Sequence, residues 1–215
     1  NDYTDIPVTP DVLGIETDSR IKIVNQKLNL GEVRNMNYLL EMAQSEWFVW
    51  LADDDLVHPE FFMLANKCIN KNKGRNIVAF YSDYSSSDSP DGIFPAELKL
   101  KNYFCYDASE FIRCYSSRKI SLIGSCGIMN TEALKKIGGF PLLGNSFGPY
   151  GDTLIPILLT QQGNVCMFEG SLMFLRTHAD SLSCKSSEFS AYSSAEVDFL
   201  GRVKHVCNNK FMDIE

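Results

Sequence analysis

The chain has 215 residues, 45% of them apolar and 22% charged, a balance ordinary for one globular domain with a sizeable core. Its formal net charge is −7 and its basic residues form no run, which excludes an electrostatic footprint for nucleic acid. No apolar run reaches the ~20 residues of a membrane span, and the seven cysteines, scattered and without a CxxC pair, point to reduced thiols in cytoplasm, most of them small core residues.

Residues 1–12 (NDYTDIPVTPDV) are polar, proline-bearing and turn-like. Arg20 to Asn25 is a short β-rich stretch, closed by the turn NLG at 29–31. From Glu32 to Ala43 the apolar residues Val33, Met36, Leu39, Leu40 and Ala43 share one helical face. A helix is therefore predicted to link the first strand to a second at Trp47–Leu51, and strand, helix, strand at this spacing predicts a right-handed βαβ unit.

The second strand runs straight into three carboxylates, Asp53, Asp54 and Asp55, and Pro59 then marks a helix start ahead of apolar residues at helical spacing up to about Lys71. In an open α/β sheet, ligands sit just past the carboxyl ends of strands. Packed carboxylates there repel one another unless a cation or a proton offsets them, and a hard divalent metal that shares its shell with water and substrate phosphates is one such offset. A polar turn whose aspartates cap the next helix is the plainer alternative. NIVAFYS (76–82) reads as a third parallel strand.

Asp83 to Gly92 has the composition of a surface loop. Residues 107–115 form a short helix capped by Asp107 or Ser109, and GSCGIMN (124–130) reads as a strand. Thr131 is the expected N-cap of a helix that Gly138 and Gly139 terminate. A Gly-, Pro- and aromatic-rich segment, 138–152, delivers Asp152 to the cap position of a helix that carries Pro156 and stops at Gly163. Asn164–Glu169 and Ser171–His178 read as strands that bring Arg176 and His178 to one side, and a C-terminal helix is predicted over about 186–207. With no internal repeat and no linker, residues 1–215 read as a single domain.

Taken together, NLGEVRNMNYLL (29–40), WFVWLADDDLVHPEFF (47–62), ALKKIGGF (133–140), GDTLIPILLTQQG (151–163) and FLRTHADSLS (174–183) resemble the family 2 glycosyltransferases with a GT-A fold, in order and in spacing. The resemblance implies an α/β, Rossmann-like, mostly parallel central sheet flanked by helices. It also implies transfer of a sugar from a nucleotide-sugar, a UDP-sugar by expectation, to an acceptor hydroxyl, inverting and dependent on Mn²⁺ or Mg²⁺. The family's DxD signature corresponds to Ala52-Asp53-Asp54, which makes Asp54 the metal ligand and Asp53 a neighbour of the nucleotide ribose, with Asp55 as a supporting or capping group. Ala52 departs from the usual first acid. Asp152 matches the aspartate of the family's ED pair, the general base, and Gly151 stands where the pair has Glu. Arg176 and His178 match a late RxH-type segment near the diphosphate or metal.

The chain opens on NDYTD, similar to the tail of an acidic turn that in the family follows a first strand, helix and strand. The expectation is thus an N-terminally incomplete domain in which Asp2 or Asp5 is the remnant of a nucleotide contact and donor binding is weak or absent. The partners implied are a nucleotide-sugar donor and a glycan or lipid-linked acceptor, in polysaccharide or glycoconjugate synthesis, in cytoplasm or peripherally at the inner face of a membrane. Two alternatives stay open: a non-catalytic glycosyltransferase-like binding or assembly module, which Ala52 and Gly151 favour, and a nucleotidyltransferase, against which stands the lack of a Gly-rich basic phosphate loop.

Overall fold

The computed structural model describes residues 7–15, 18–88, 102–144, 149–177 and 189–211. Its centre is a pair of long strands, β3 (Ile77–Ser87) and β6 (Asn164–Arg176), hydrogen-bonded in parallel from Ile77↔Asn164 to Ser87↔Arg176. Val78, Ala79, Phe80 and Tyr81 are all buried, as are Val165 to Phe168. Continuous apolar runs of this kind belong to strands covered on both faces.

Around this pair the sheet is mixed rather than mostly parallel. Strand β5 (Ile128–Asn130) is antiparallel to β3, and β1 (Trp47–Val49) is antiparallel to β5. Strands β2 (Leu56–Val57) and β4 (Tyr103–Tyr106) are both antiparallel to β6. The order is β1-β5-β3-β6-β2, with β4 also on β6. β1 and β3 therefore do run in the same direction, as the sequence predicts, but β5 lies between them. Thr131 fixes that insertion, since its N–H donates to the Glu46 carbonyl at 2.9 Å and its hydroxyl to the Ser45 carbonyl at 2.6 Å.

Residues 20–25 form no strand and join no ladder among the described residues, Arg20 lying in a turn closed by Ile21 N on Asp18 O, which corrects the expected first strand and its βαβ unit. A strand needs a neighbour's backbone. Here the segment is tied instead by Asn25, whose side-chain amide accepts from Val8 N at 2.8 Å and donates to Val8 O at 2.9 Å.

Helices cover both faces of the sheet, the layered arrangement expected of an α/β domain. On one face lie α2 (Glu32–Met42), α4 (Ala108–Ser116), α5 (Thr131–Lys136) and α6 (Gly151–Leu159), whose Val33, Met36, Leu40, Phe111, Leu134, Ile155 and Leu159 pack with Tyr81, Met129 and Met167. On the other face α3 (Phe61–Lys71) presents Phe61, Ala65 and Cys68, spaced four and three apart, to Phe80, Cys166 and Phe168. A short turn of helix, α1 (Pro10–Leu13), precedes them, and the last helix, α7 (Phe189–Phe211), packs Ala195 and Val206 against Leu154 and Leu158 of α6. No helix among the described residues is long and apolar enough to cross a membrane.

Four local expectations need correction. Residues 83–87, expected in a surface loop, continue β3 because they pair in register with Ser171 to Arg176 of β6. The N-cap of α5 is Asn130, whose side chain accepts from Ala133 N at 3.0 Å, because the Thr131 hydroxyl is already engaged by the strand end before β1. Asn164–Arg176 is one strand rather than two. The cysteines are not all reduced: Cys105 and Cys166, opposite each other on β4 and β6 with Cα atoms 4.1 Å apart, form a disulfide across a sequence separation of 61. Strand register brings them together, and no spacing in the sequence displays it. Cys68, Cys114 and Cys126 are buried as expected, and Cys184 lies outside the described residues.

The Gly138–Gly139 turn after α5 docks on α2 through Asn37, which accepts from Phe140 N at 2.8 Å and donates to Phe140 O at 2.9 Å. Gly139, with φ of 74°, also has no room for a β-carbon beside the Asn37 side chain. Replacing Asn37→Ala strands two backbone groups in a half-buried site, and the expected loss is about 1–3 kcal/mol of stability. Urea unfolding followed by circular dichroism checks it, and a midpoint equal to that of the parent would refute the role of Asn37.

Candidate active site

The carboxyl end of β1 leads through Trp50 and Leu51 into a tight turn, where Asp55 N donates to Ala52 O at 3.4 Å and Asp53 and Asp54 occupy the tip. Asp53 is exposed and Asp54 half-buried. The predicted order of strand, acidic turn and helix holds with one addition, the two-residue β2, which pairs Leu56 with Phe174 and Val57 with Met173. Helix α3 then begins at Phe61 rather than Pro59.

That small strand matters because it staples the acidic turn to the end of β6. Asp55 Oδ1 accepts from the backbone N–H of Arg176 at 3.2 Å. Asp55, expected as a supporting or capping group, is thus held by the backbone of β6. Burial pushes its pKa up, the Arg176 N–H opposes that, and the charges of Asp54 and Asp53 push it further up.

Asp152 lies at the second position of α6, inside the first turn rather than at the cap. The cap residue is Tyr150, which takes the left-handed conformation with φ of 63° and offers no side-chain cap bond. Asp152 is free of capping because its Oδ1 is committed elsewhere, accepting from Ser125 N at 2.9 Å. Ser125 sits in a 3₁₀ turn, Gly124–Cys126, that leads into β5. A β-carbon on Gly124 would overlap the Asp152 carbonyl, so the turn can approach α6 only through glycine there. From below, the buried Tyr81 hydroxyl donates to Gly124 O at 3.2 Å.

Glu32, the first residue of α2, stands across from Asp152. Both line an open cleft with Ser125, Gly151 and the apolar side chains of Val33 and Met36. Although Glu32 keeps contact with solvent, partial desolvation of its carboxyl in the cleft pushes its pKa up, and the charges of Asp152, Asp54 and Asp55 add to the effect. Asp152 likewise helps burial to push the Cys126 thiol up to about 12. The acidic turn, Glu32 and Asp152 thus share one negatively charged neighbourhood.

Sequence reading brings Asp53, Asp54, Asp152 and Arg176 to this region and misses Glu32 and Ser125. An acid at a helix start reads as ordinary dipole pairing, and Ser125 contributes only its backbone. Asp2 and His178 lie outside the described residues. Among the described residues, no three carboxylates of the site bring one oxygen each within 4.8 Å of one another. A hard cation here would take one or two of them and fill its shell with water and phosphate oxygens, the usual preference of Mg²⁺. The negative charge gathered by Glu32, Asp152 and the acidic turn fits such an ion.

The family model described as glycosyl transferase family 2 matches residues 11–138, a span that takes in the acidic turn and Ser125 and ends before Asp152. Among solved structures, that of Staphylococcus aureus TarS residues 1–349 is 13% identical, with a TM-score of 0.50 over 86% of this chain and 54% of that one. The same fragment in complex with UDP-GlcNAc is 12% identical, with a TM-score of 0.52 over 88% of this chain and 56% of that one. The structure of TarS itself gives 12% and 0.51 over 86% and 33%. The chain spans about half the length of the 1–349 fragment, and likeness at this identity shows a shared GT-A-like fold. No curated protein sequence matches the chain.

A carboxyl whose pKa is raised by folding binds more protons folded than unfolded, so its contribution to stability declines as pH rises from the ordinary carboxylate range through the folded value. Glu32→Gln removes that penalty. Its thermal midpoint is expected to exceed the parent's at pH 7 and to converge with it below about pH 4. A difference that stays constant with pH would contradict the assignment.

Proposed function

The chain belongs to glycosyl transferase family 2, whose model spans more than half of its length, and from that premise we propose that it transfers a sugar from a nucleotide-sugar to an acceptor hydroxyl with inversion. The observation that carries the proposal is the bond from Ser125 N to Asp152 Oδ1 at the lip of the cleft. A base must be held in a fixed orientation within reach of the proton it takes. With Oδ1 pinned, Oδ2 is the atom that receives the proton of the acceptor hydroxyl as its oxygen attacks the anomeric carbon. The bond to the nucleotide diphosphate breaks, and the diphosphate keeps the electron pair.

Asp53 is assigned to the ribose, Asp54 and His178 to a Mn²⁺ or Mg²⁺ ion, and Arg176 to the diphosphate. The cation, when bound, neutralises charge on the departing diphosphate. The backbone N–H of Arg176, bonded to Asp55 behind the acidic turn, supports its assignment. Gly151 lacks the carboxylate of the family's pair, and we assign the acceptor-side contact to Glu32, which lines the same cleft. A UDP-sugar is the donor class proposed, since the TarS fragment is seen in complex with UDP-GlcNAc. A glycan or lipid-linked acceptor on the cytoplasmic side of a membrane completes the reading. The second reading, a binding or assembly module without catalysis, is favoured by Ala52 and Gly151.

Thermal shift with Mn²⁺ and UDP, separately and together, tests the donor site, since a ligand that binds only the folded state raises its apparent stability. The midpoint is expected to rise only with both present, and Asp54→Asn is expected to abolish the rise. Asp152→Asn is expected to keep the shift and to lower sugar transfer from the cognate donor by about 10²–10⁴-fold. No shift in the parent chain would overturn the donor site. Full transfer by Asp152→Asn would remove its role as base.

A further inference from the structure

We propose that Cys68, Cys105 and Cys166, when reduced, form a binding site for a thiophilic cation of the zinc type. The site is distinct from the cleft: its cysteines come from α3, β4 and β6, and none of them lines the cleft. The three sulfurs all lie within 4.8 Å of one another, and they are the one such group of potential ligands among the described residues. Tetrahedral zinc with Zn–S bonds of ~2.3 Å holds its sulfurs about 3.8 Å apart. Opening the Cys105–Cys166 disulfide moves that pair apart toward this spacing, and Cys68 needs to close by about 1 Å at most.

Three elements build the group. Cys105 and Cys166 are directly opposed on β4 and β6, and Cys68 comes from the last turn of α3, on the same face of the sheet as Tyr103 and Phe168. Cys68 and Cys166 are buried. Cys105, on a strand that pairs with β6 alone, is half-buried and gives an ion its way in.

Polar groups stand beside the Cys68 sulfur, although burial outweighs them and the thiol stays above its ordinary value. Asn72 Nδ2 lies 3.5 Å from Cys68 Sγ, where it can donate, and is also bonded to Tyr103 Oη at 2.9 Å. The Lys71 ammonium lies 5.8 Å from the centre of the Tyr103 ring. Burial pushes the Cys68 thiol up, while Tyr103, Asn72 and Lys71 act in the opposite direction. Metal-bound thiolates need such outer partners, which orient the ligand and tune its basicity. A purely structural disulfide uses two sulfurs and gives no role to a third thiol with donors turned toward it.

The chemistry balances in two steps. A phosphine reductant supplies the two electrons needed and, with one water, becomes the phosphine oxide, leaving two thiols in place of the disulfide. Three thiols and Zn²⁺ then give a tris-thiolate complex and three protons, with water in the fourth position. The oxidised chain has one sulfur ligand left and holds no ion.

The test is zinc binding by the whole chain under anaerobic conditions, before and after phosphine reduction, with retained zinc measured after gel filtration and thiols mapped by alkylation and mass spectrometry. The reduced chain is expected to retain a single zinc and the oxidised chain none. Zinc is expected to slow alkylation of Cys68, Cys105 and Cys166 by about tenfold or more, since bound thiolates are withdrawn from attack. Cys68→Ser and the half-buried Cys105→Ser are each expected to lose the zinc, whereas Cys114→Ser keeps it. Cys105→Ser guards against a folding defect at the buried position. Zinc absent from the reduced chain, retained by Cys105→Ser, equal in the oxidised chain or protecting other cysteines would overturn the proposal, as would a disulfide that resists reduction in the folded chain.

Discussion

The parallel pairing of β3 with β6 is the constraint on which the rest of the molecule depends. Parallel neighbours cannot be joined by a tight turn and need a long crossover. The chain from residue 88 to 163 therefore has to leave the sheet and return, and on the way it deposits β4, α4, β5, α5 and α6. Because both long strands run the same way, their carboxyl ends meet at Ser87 and Arg176. The acidic turn is attached at that same end through β2 and Asp55. The place where carboxylates collect is thus a product of strand direction, in keeping with the general position of ligand sites in α/β sheets.

Collecting carboxylates works against stability. Glu32 and Asp55 are both pushed up by partial burial and by like charges nearby, so folding at neutral pH retains charge that the unfolded chain would disperse. The fold answers with backbone donors: Arg176 N for Asp55 and Ser125 N for Asp152. Such donors fix orientation and leave the site's net negative charge in place. A cleft lined by Glu32 and Asp152, with the acidic turn and Arg176 close by, is a surface suited to a divalent ion and the phosphates it carries.

How much of this the sequence displays varies with the physics involved. Helices α2, α3 and α4 follow from apolar spacing, because each buries one face against the sheet, whereas β3 and β6 follow only where they are apolar, since residues 83–87 of β3 read as loop and Glu169-Gly170-Ser171 divides β6 in two. Strand β2 does not follow, since two residues carry no periodicity and their partners Met173 and Phe174 lie 116 and 118 positions away. The insertion of β5 between β1 and β3 is equally silent, being a choice of neighbour rather than of conformation. Asp152 reads as a cap from local pattern, and only the approach of Ser125 removes it from that duty. The residues of the site are legible as types at helix and strand ends; the company they keep is tertiary.

Pro156, inside α6, shows how a local defect becomes a fitting surface. Proline has no N–H to give the carbonyl four residues earlier, and in α6 that carbonyl belongs to Asp152. Gly124 lies against this same carbonyl and against the Pro156 ring, closer than any side chain would allow. The break in the helix and the absence of a side chain at 124 are therefore two halves of one joint, separated by 32 positions in the chain. Mutational drift at either position is answerable to the other, so relatives that relax one without the other would have to set the carboxylate of residue 152 by different means.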